Sequence, residues 1–194
     1  MKNTTLIIFI VILAFFSIKG CSSYNGLVTK DENVSQAWSN VQSAYQRRAD
    51  LIPNLVSTVK GYADHEKSTL EAVINARAKA TSINIDPSNM TPEMMQQFQQ
   101  AQQGLSGALG KLLVSVERYP DLKASQNFRD LQSQLEGTEN RINVERNRFN
   151  ETVTDYNKSV RKFPNNIFAN MFGFARKSTF EAQAGTEEAP KVNF

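Results

Sequence analysis

Residues 128–163 read FRDLQSQLEGTENRINVERNRFNETVTDYNKSVRKF. Within them Phe128, Leu131, Leu135, Thr138, Ile142, Phe149, Val153, Tyr156, Val160 and Phe163 mark a repeat whose every step is three, four or seven. That spacing puts them along one face of a helix. Kept up over about five heptads, it is what left-handed helix packing requires. A rod of this kind draws its stability from packing an apolar face rather than from helix propensity, so it implies partner helices in the same chain or another.

Those partners are legible upstream. Thr91-Pro92-Glu93 joins a capping hydroxyl, a proline at the first helical position and an acid at the positive dipole end. The stripe Met95, Phe98, Ala101, Leu105, Ala108, Leu109, Leu112, Val116 and Tyr119 follows, until Pro120 forbids continuation. Earlier, Val34, Trp38, Val41 and Tyr45 form another stripe, predicting a first helix that ends near Ala49. Asp50 can cap a second helix that tolerates Pro53 in its first turn, or Pro53 can kink one long helix. The second segment carries Leu55, Val56, Val59, Tyr62, Leu70, Val73, Ile74 and Arg77 and dissolves at residues 82–87. No strand-length alternation of apolar and polar residues occurs. The expected fold is all-α: an antiparallel up-and-down four-helix bundle of long helices over residues 24–174, with an N-terminal membrane anchor. Burying about 30 apolar side chains at about 1.5 to 3 kcal/mol each would be the main term opposing chain entropy.

Residues 1–20 form a signal peptide or anchor. Lys2 precedes an apolar run from Leu6 to Phe16, and Ile18-Lys19-Gly20-Cys21 resembles a lipobox around the chain's single cysteine. A run of about 10 to 14 apolar residues is more often a signal core than a spanning helix, for which roughly 20 are needed. Diacylation at Cys21 would explain a lone exported thiol, and the alternative is an uncleaved single-pass helix. Removing residues 1–20 takes away Lys2 and Lys19 and no acid, so the formal charge of +3 becomes +1. A nearly neutral domain is a poor nucleic-acid binder.

Four further segments add a resemblance. They are the run from Tyr45 to Val56, Val59-Lys-Gly-Tyr62 with His65-Glu66, the run from Tyr119 to Ala124, and Leu135-Glu-Gly-Thr-Glu-Asn-Arg-Ile142. With Tyr24-Asn25, Trp38 and Tyr156-Asn157, they resemble the LemA family over residues 24–174. The resemblance implies a bacterial, membrane-anchored helical-bundle protein of the cell envelope with no established enzymatic activity or ligand. It implies a single N-terminal helix as the usual anchor, whereas Cys21 favours a lipoprotein.

The matching segments are polar for a bundle. Arg47, Arg48, Asp50, Asn54, Glu136, Glu139, Asn140 and Arg141 fall in two short stretches that can face each other. They are the candidate interaction cluster, read first as a paired network fixing helix register and second as a ligand-binding or catalytic site. Established chemistries do not fit. A di-iron bundle needs Glu-x-x-His motifs from two helices and a zincin needs two histidines, but His65 is the only one present. Gly104, Gly107, Gly110 and Lys111 miss the phosphate-loop spacing, and glycines on adjacent turns suggest a neighbouring helix passing close. No paired nucleophile and base is visible, so no enzyme, cofactor, metal or small-molecule substrate is expected. Partners are the membrane and an unidentified envelope protein. After Pro164, Phe168, Phe172 and Phe174 lead an aromatic segment that either forms an interface or folds back as a short helix; residues 175–194 are expected to be a flexible tail.

Overall fold

A computed structural model describes residues 2–63 and 66–181; side chains of residues 2–9 and 11–18 lie outside that description. The described chain is helical, with no strand. It comprises α1 (Lys2–Lys60), α2 (Lys67–Ser82), α3 (Pro92–Val116), α4 (Pro120–Ala124), α5 (Gln126–Arg161) and α6 (Asn165–Phe172), with a 3₁₀ turn at Pro87–Asn89.

Helix α1 runs for 59 residues without a break at Asp50 or Pro53, as the reading of one long helix has it. The expected end near Ala49 does not occur; α1 ends at Lys60 instead. Proline at 53 lacks the N–H that would bond the Ala49 carbonyl. That carbonyl is not orphaned, because Arg77 Nε of α2 donates to it at 2.7 Å. A cross-helix arginine thus replaces the missing helical bond, and the rod continues.

Other boundaries follow local chemistry. Thr91 caps α3, its hydroxyl oxygen accepting from the Met94 N–H at 3.3 Å. Pro120 ends the previous turn and opens α4, which buries Leu122. Side-chain pairs give the helix directions: Arg48 meets Glu139 while Ser23 meets Asn165, and Glu66 meets Arg118 while Gln102 meets the Ala80 carbonyl. Helix α5 therefore runs opposite to α1, and α3 opposite to α2.

The apolar residues separate into two cores. One gathers Trp38, Val41, Phe98, Ile142, Phe149 and Tyr156. The other gathers Ile52, Leu55, Leu70, Leu112, Phe128 and Leu131. Arg48, Gln102 and Thr138 are buried at the level where the first gives way to the second.

The end of the chain folds back. Helix α6 buries Phe168 and Ala169, and Gly173 ends it with φ 79°, a left-handed conformation suited to glycine. Residues 174–181 then run as an extended strap that drives Phe180 against Trp38, Phe98 and Phe149. The helical domain thus continues past residue 174, where the sequence suggests a flexible tail to begin; residues 182–194 of that tail lie outside the described residues. Gly104, Gly107 and Gly110 face open space, with nothing within 4 Å of an added Cβ. Among the described residues no helix passes close to them, as they were expected to allow.

Candidate functional site

The polar cluster is built from one turn of α1. Arg48, 2% exposed, points inward from α1. Its Nη1 donates to Glu139 Oε2 at 2.7 Å and Ser106 Oγ at 2.9 Å, and its Nη2 to Gln102 Oε1 at 2.7 Å. Gln102 Nε2 in turn donates to the Ala80 carbonyl at 3.2 Å, so α1, α2, α3 and α5 are tied at one level. Arg48 Nε is buried with no hydrogen-bond partner. The arrangement suits arginine because a buried cation must be paired and hydrogen-bonded, and a planar fork can satisfy several acceptors at once.

The remaining sequence candidates do not converge. Arg47, Asp50, Asn54, Glu136, Asn140 and Arg141 are exposed. Asp50 accepts from Gln46, Glu136 from Gln132, and the Asn54 carbonyl from Thr58, all within their own helices. Arg47 and Arg141 line a shallow groove of about 600 Å³ with Asn40, Ser43, Gln134 and Thr138. Of the cluster, only Arg48 and Glu139 meet.

Several participants were missed. Glu145, 1% exposed, is a second buried charge, bridged by Arg141 at 2.7 Å and Arg148 at 3.5 Å. Its i,i+4 spacing from Arg141 was available in the sequence, but burial of an acid inside a regular repeat was not. Gln102, four residues past Phe98 on α3, is also buried. Arg146 lies over the Phe180 ring at 4.6 Å. With Tyr45, Arg48, Gln99, Gln102, Gln103 and Ser106 it lines a cleft of about 360 Å³. Burial raises the Tyr45 phenol above its ordinary pKa, so it faces this cleft as a neutral donor.

A second polar assembly holds the strap. Asn150 Nδ2 donates to the Phe180 carbonyl at 3.2 Å while its Oδ1 accepts from the Phe180 N–H at 2.9 Å. Asn157 does the same for Lys177, at 2.8 and 2.9 Å. These two amides, seven residues apart on α5, stand in for the peptide groups of a neighbouring strand. The Lys177 side chain is largely covered beside them, its Nζ bridging Asp31 at 2.7 Å and the Pro87 carbonyl at 2.8 Å. Tyr156 donates to the Ala175 carbonyl at 2.9 Å, and burial, reinforced by Asp31, pushes its pKa well up.

Of the tail candidates, Phe168 is buried against Gly20 of α1, Phe174 is half-buried against the first core, and Phe172 is exposed with its ring against Tyr24. Cys21, the lipid-attachment candidate, is an exposed free thiol. His65 lies outside the described residues, as do the side chains of the apolar run at 6–9 and 11–16. Among the described residues no helix is long and apolar enough to cross a membrane, and no group of His, Cys, Asp and Glu is placed to hold a metal.

The LemA family model matches residues 37–194. Protein LemA of Metamycoplasma hominis is 24% identical over 177 residues, 91% of this chain and 77% of that protein. Magnetosome protein MamQ of Magnetospirillum gryphiswaldense is 27% identical over 182 residues, 84% of this chain and 66% of its own. Magnetosome protein MamQ 2 of Paramagnetospirillum magneticum is 26% identical over 175 residues, 81% and 64% respectively. The chain thus spans only about two thirds of the length of the MamQ relatives.

Proposed function

The chain belongs to the LemA family, and from that premise we propose that it is a non-enzymatic scaffold of the bacterial cell envelope. It works as an antiparallel four-helix bundle held to a membrane at its N-terminal end, by acylated Cys21 or by an uncleaved single-pass helix, and it binds another envelope protein through its helix faces. The observation that carries this reading is the internal pairing of its buried charges. Arg48 is taken by Glu139, Gln102 and Ser106, and Glu145 by Arg141 and Arg148. The Arg48 bonds tie α1 to α3 and α5, and charges paired inside the protein in this way leave little for a substrate. The membrane part is supported by the apolar run that opens the chain.

Photo-crosslinking in living cells tests the scaffold role. The crosslinker is placed at Ile74, Val114 and Val144, which are exposed apolar residues on three different helices. One face should trap the same envelope protein repeatedly, and a lysine substituted beside it should abolish the band. Absence of a specific adduct from every face would overturn the reading.

The cleft beside Arg48 favours a second reading, ligand binding. Arg48 and Arg146 both line it, and Glu139 answers the charge of Arg48 alone. Saturable binding of a small carboxylate or phosphate by calorimetry, lost in Arg146→Gln, would support that reading over the first.

A further inference from the structure

Helix α6 turns its apolar side away from the protein. Ala169 faces the first core and Phe168 packs on α1, while Ile167 and Met171, four residues apart on α6, are 52% and 64% exposed and Phe163 in the turn before it is 81% exposed. Phe172 adds to the same exposed edge. Large apolar side chains at helical spacing and open to solvent mark an interaction surface.

Three observations identify what covers it. The first is position: Phe168 packs on Gly20, where an added Cβ would lie 3.1 Å from its ring, and Ser23 Oγ donates to Asn165 Oδ1 at 2.9 Å. Helix α6 therefore lies across α1 where the apolar N-terminal run ends. The second is charge. No acid occurs between Asp155 and Glu181, nor before Asp31, while Lys158, Arg161, Lys162 and Arg176 are exposed in the first of these stretches. The third is composition, since aromatic and long apolar residues flanked by lysine and arginine suit the boundary between headgroups and acyl chains.

We infer that α6 and the preceding turn form a membrane-contact foot, in which Phe163, Ile167, Met171 and Phe172 enter the headgroup region of an anionic bilayer and Arg161, Lys162 and Arg176 bind its phosphates. The inference rests on the membrane anchoring of the proposed function and holds for either form of anchor, because both place the bilayer beside residues 18–21. The foot gives the tethered domain a second point of contact and so sets the direction in which the helices leave the membrane.

Tryptophan quenching in vesicles tests it. The full chain is reconstituted into phosphatidylcholine vesicles with or without phosphatidylglycerol, the acyl chains brominated, after flotation shows that it is bound. The native Trp38 is buried in the protein core and sets the background. Phe163→Trp and Met171→Trp should be quenched several-fold more than Val114→Trp, which replaces a 73% exposed residue near the opposite end of α3. Quenching of Phe163→Trp should weaken without phosphatidylglycerol and in the added presence of Arg161→Glu and Lys162→Glu. A protein that floats with vesicles while Phe163→Trp stays unquenched and water-exposed overturns the foot and leaves the anchor standing. An unquenched but blue-shifted emission that depends on protein density assigns the surface to a second copy of the chain and also overturns it. Failure to float removes the anchor and the foot together.

Discussion

Arg48 carries more of the design than its neighbours. It satisfies three acceptors on α3 and α5 from a buried position, and Gln102 is left facing an empty site if the guanidinium is removed. Arg48→Met should lower unfolding free energy by about 2 to 4 kcal/mol in urea titrations, because a buried polar group then loses its partner. Glu139 is half exposed, so Glu139→Gln should cost about 1 kcal/mol or less. Tyrosines report on pH. Burial holds the Tyr45 and Tyr156 hydroxyls protonated above the ordinary value of about 10, so the unfolded chain releases its protons first. Stability should therefore be intact below about pH 10 and fall as pH rises beyond it, and Tyr156→Phe should make that fall shallower in urea midpoints taken on either side. The Arg48–Glu139 pair could be anticipated because charges in two polar segments of a bundle must meet something. Glu145, three residues past Ile142, and Gln102, four past Phe98, lie on the inward stripes by spacing, but their residue types argue for solvent, so period and chemistry gave opposite answers there.

Helix α1 shows how a local rule yields to a tertiary contact. Proline inside a helix argues for an end or a kink, yet the rod continues because Arg77 takes the carbonyl that Pro53 leaves open. A double-mutant cycle should find Arg77→Ala more damaging in the native background than in Pro53→Ala by about 1 kcal/mol, since alanine restores the helical donor. The strap invites a second test. Asn157→Ala removes both hydrogen bonds that hold Lys177 and should cost about 1 to 3 kcal/mol, with faster hydrogen exchange and proteolysis confined to residues 174–181. Glycines on α3 supply the opposite sign. Gly104→Ala, Gly107→Ala and Gly110→Ala should each stabilise by about 0.5 to 1 kcal/mol in thermal melts, because helix propensity improves and the methyl meets nothing. The long stripes of α3 and α5 were readable from period alone. The strap was not, because an extended segment held by asparagine side chains has no period, and its partners lie 20 to 30 residues away in the chain.

Taken together, the helices place two apolar cores in series with Arg48, Gln102 and Thr138 buried where they meet, and they gather exposed aromatic and basic residues at the end where α1 begins. That polarity along the long axis fits the proposed tether, with one end for the membrane and outer faces left free. Globomycin should distinguish the two tethers, enlarging the mature protein if Cys21 is acylated and leaving it unchanged if residues 1–20 are retained. Family membership is secured by the match over residues 37–194, most of the folded part. The central claim is that this protein works from a membrane, and flotation of lysed cells producing the full chain tests it most directly. The chain is predicted to rise with the membrane fraction and to stay there through high salt, whereas recovery in the dense soluble layer would contradict the account.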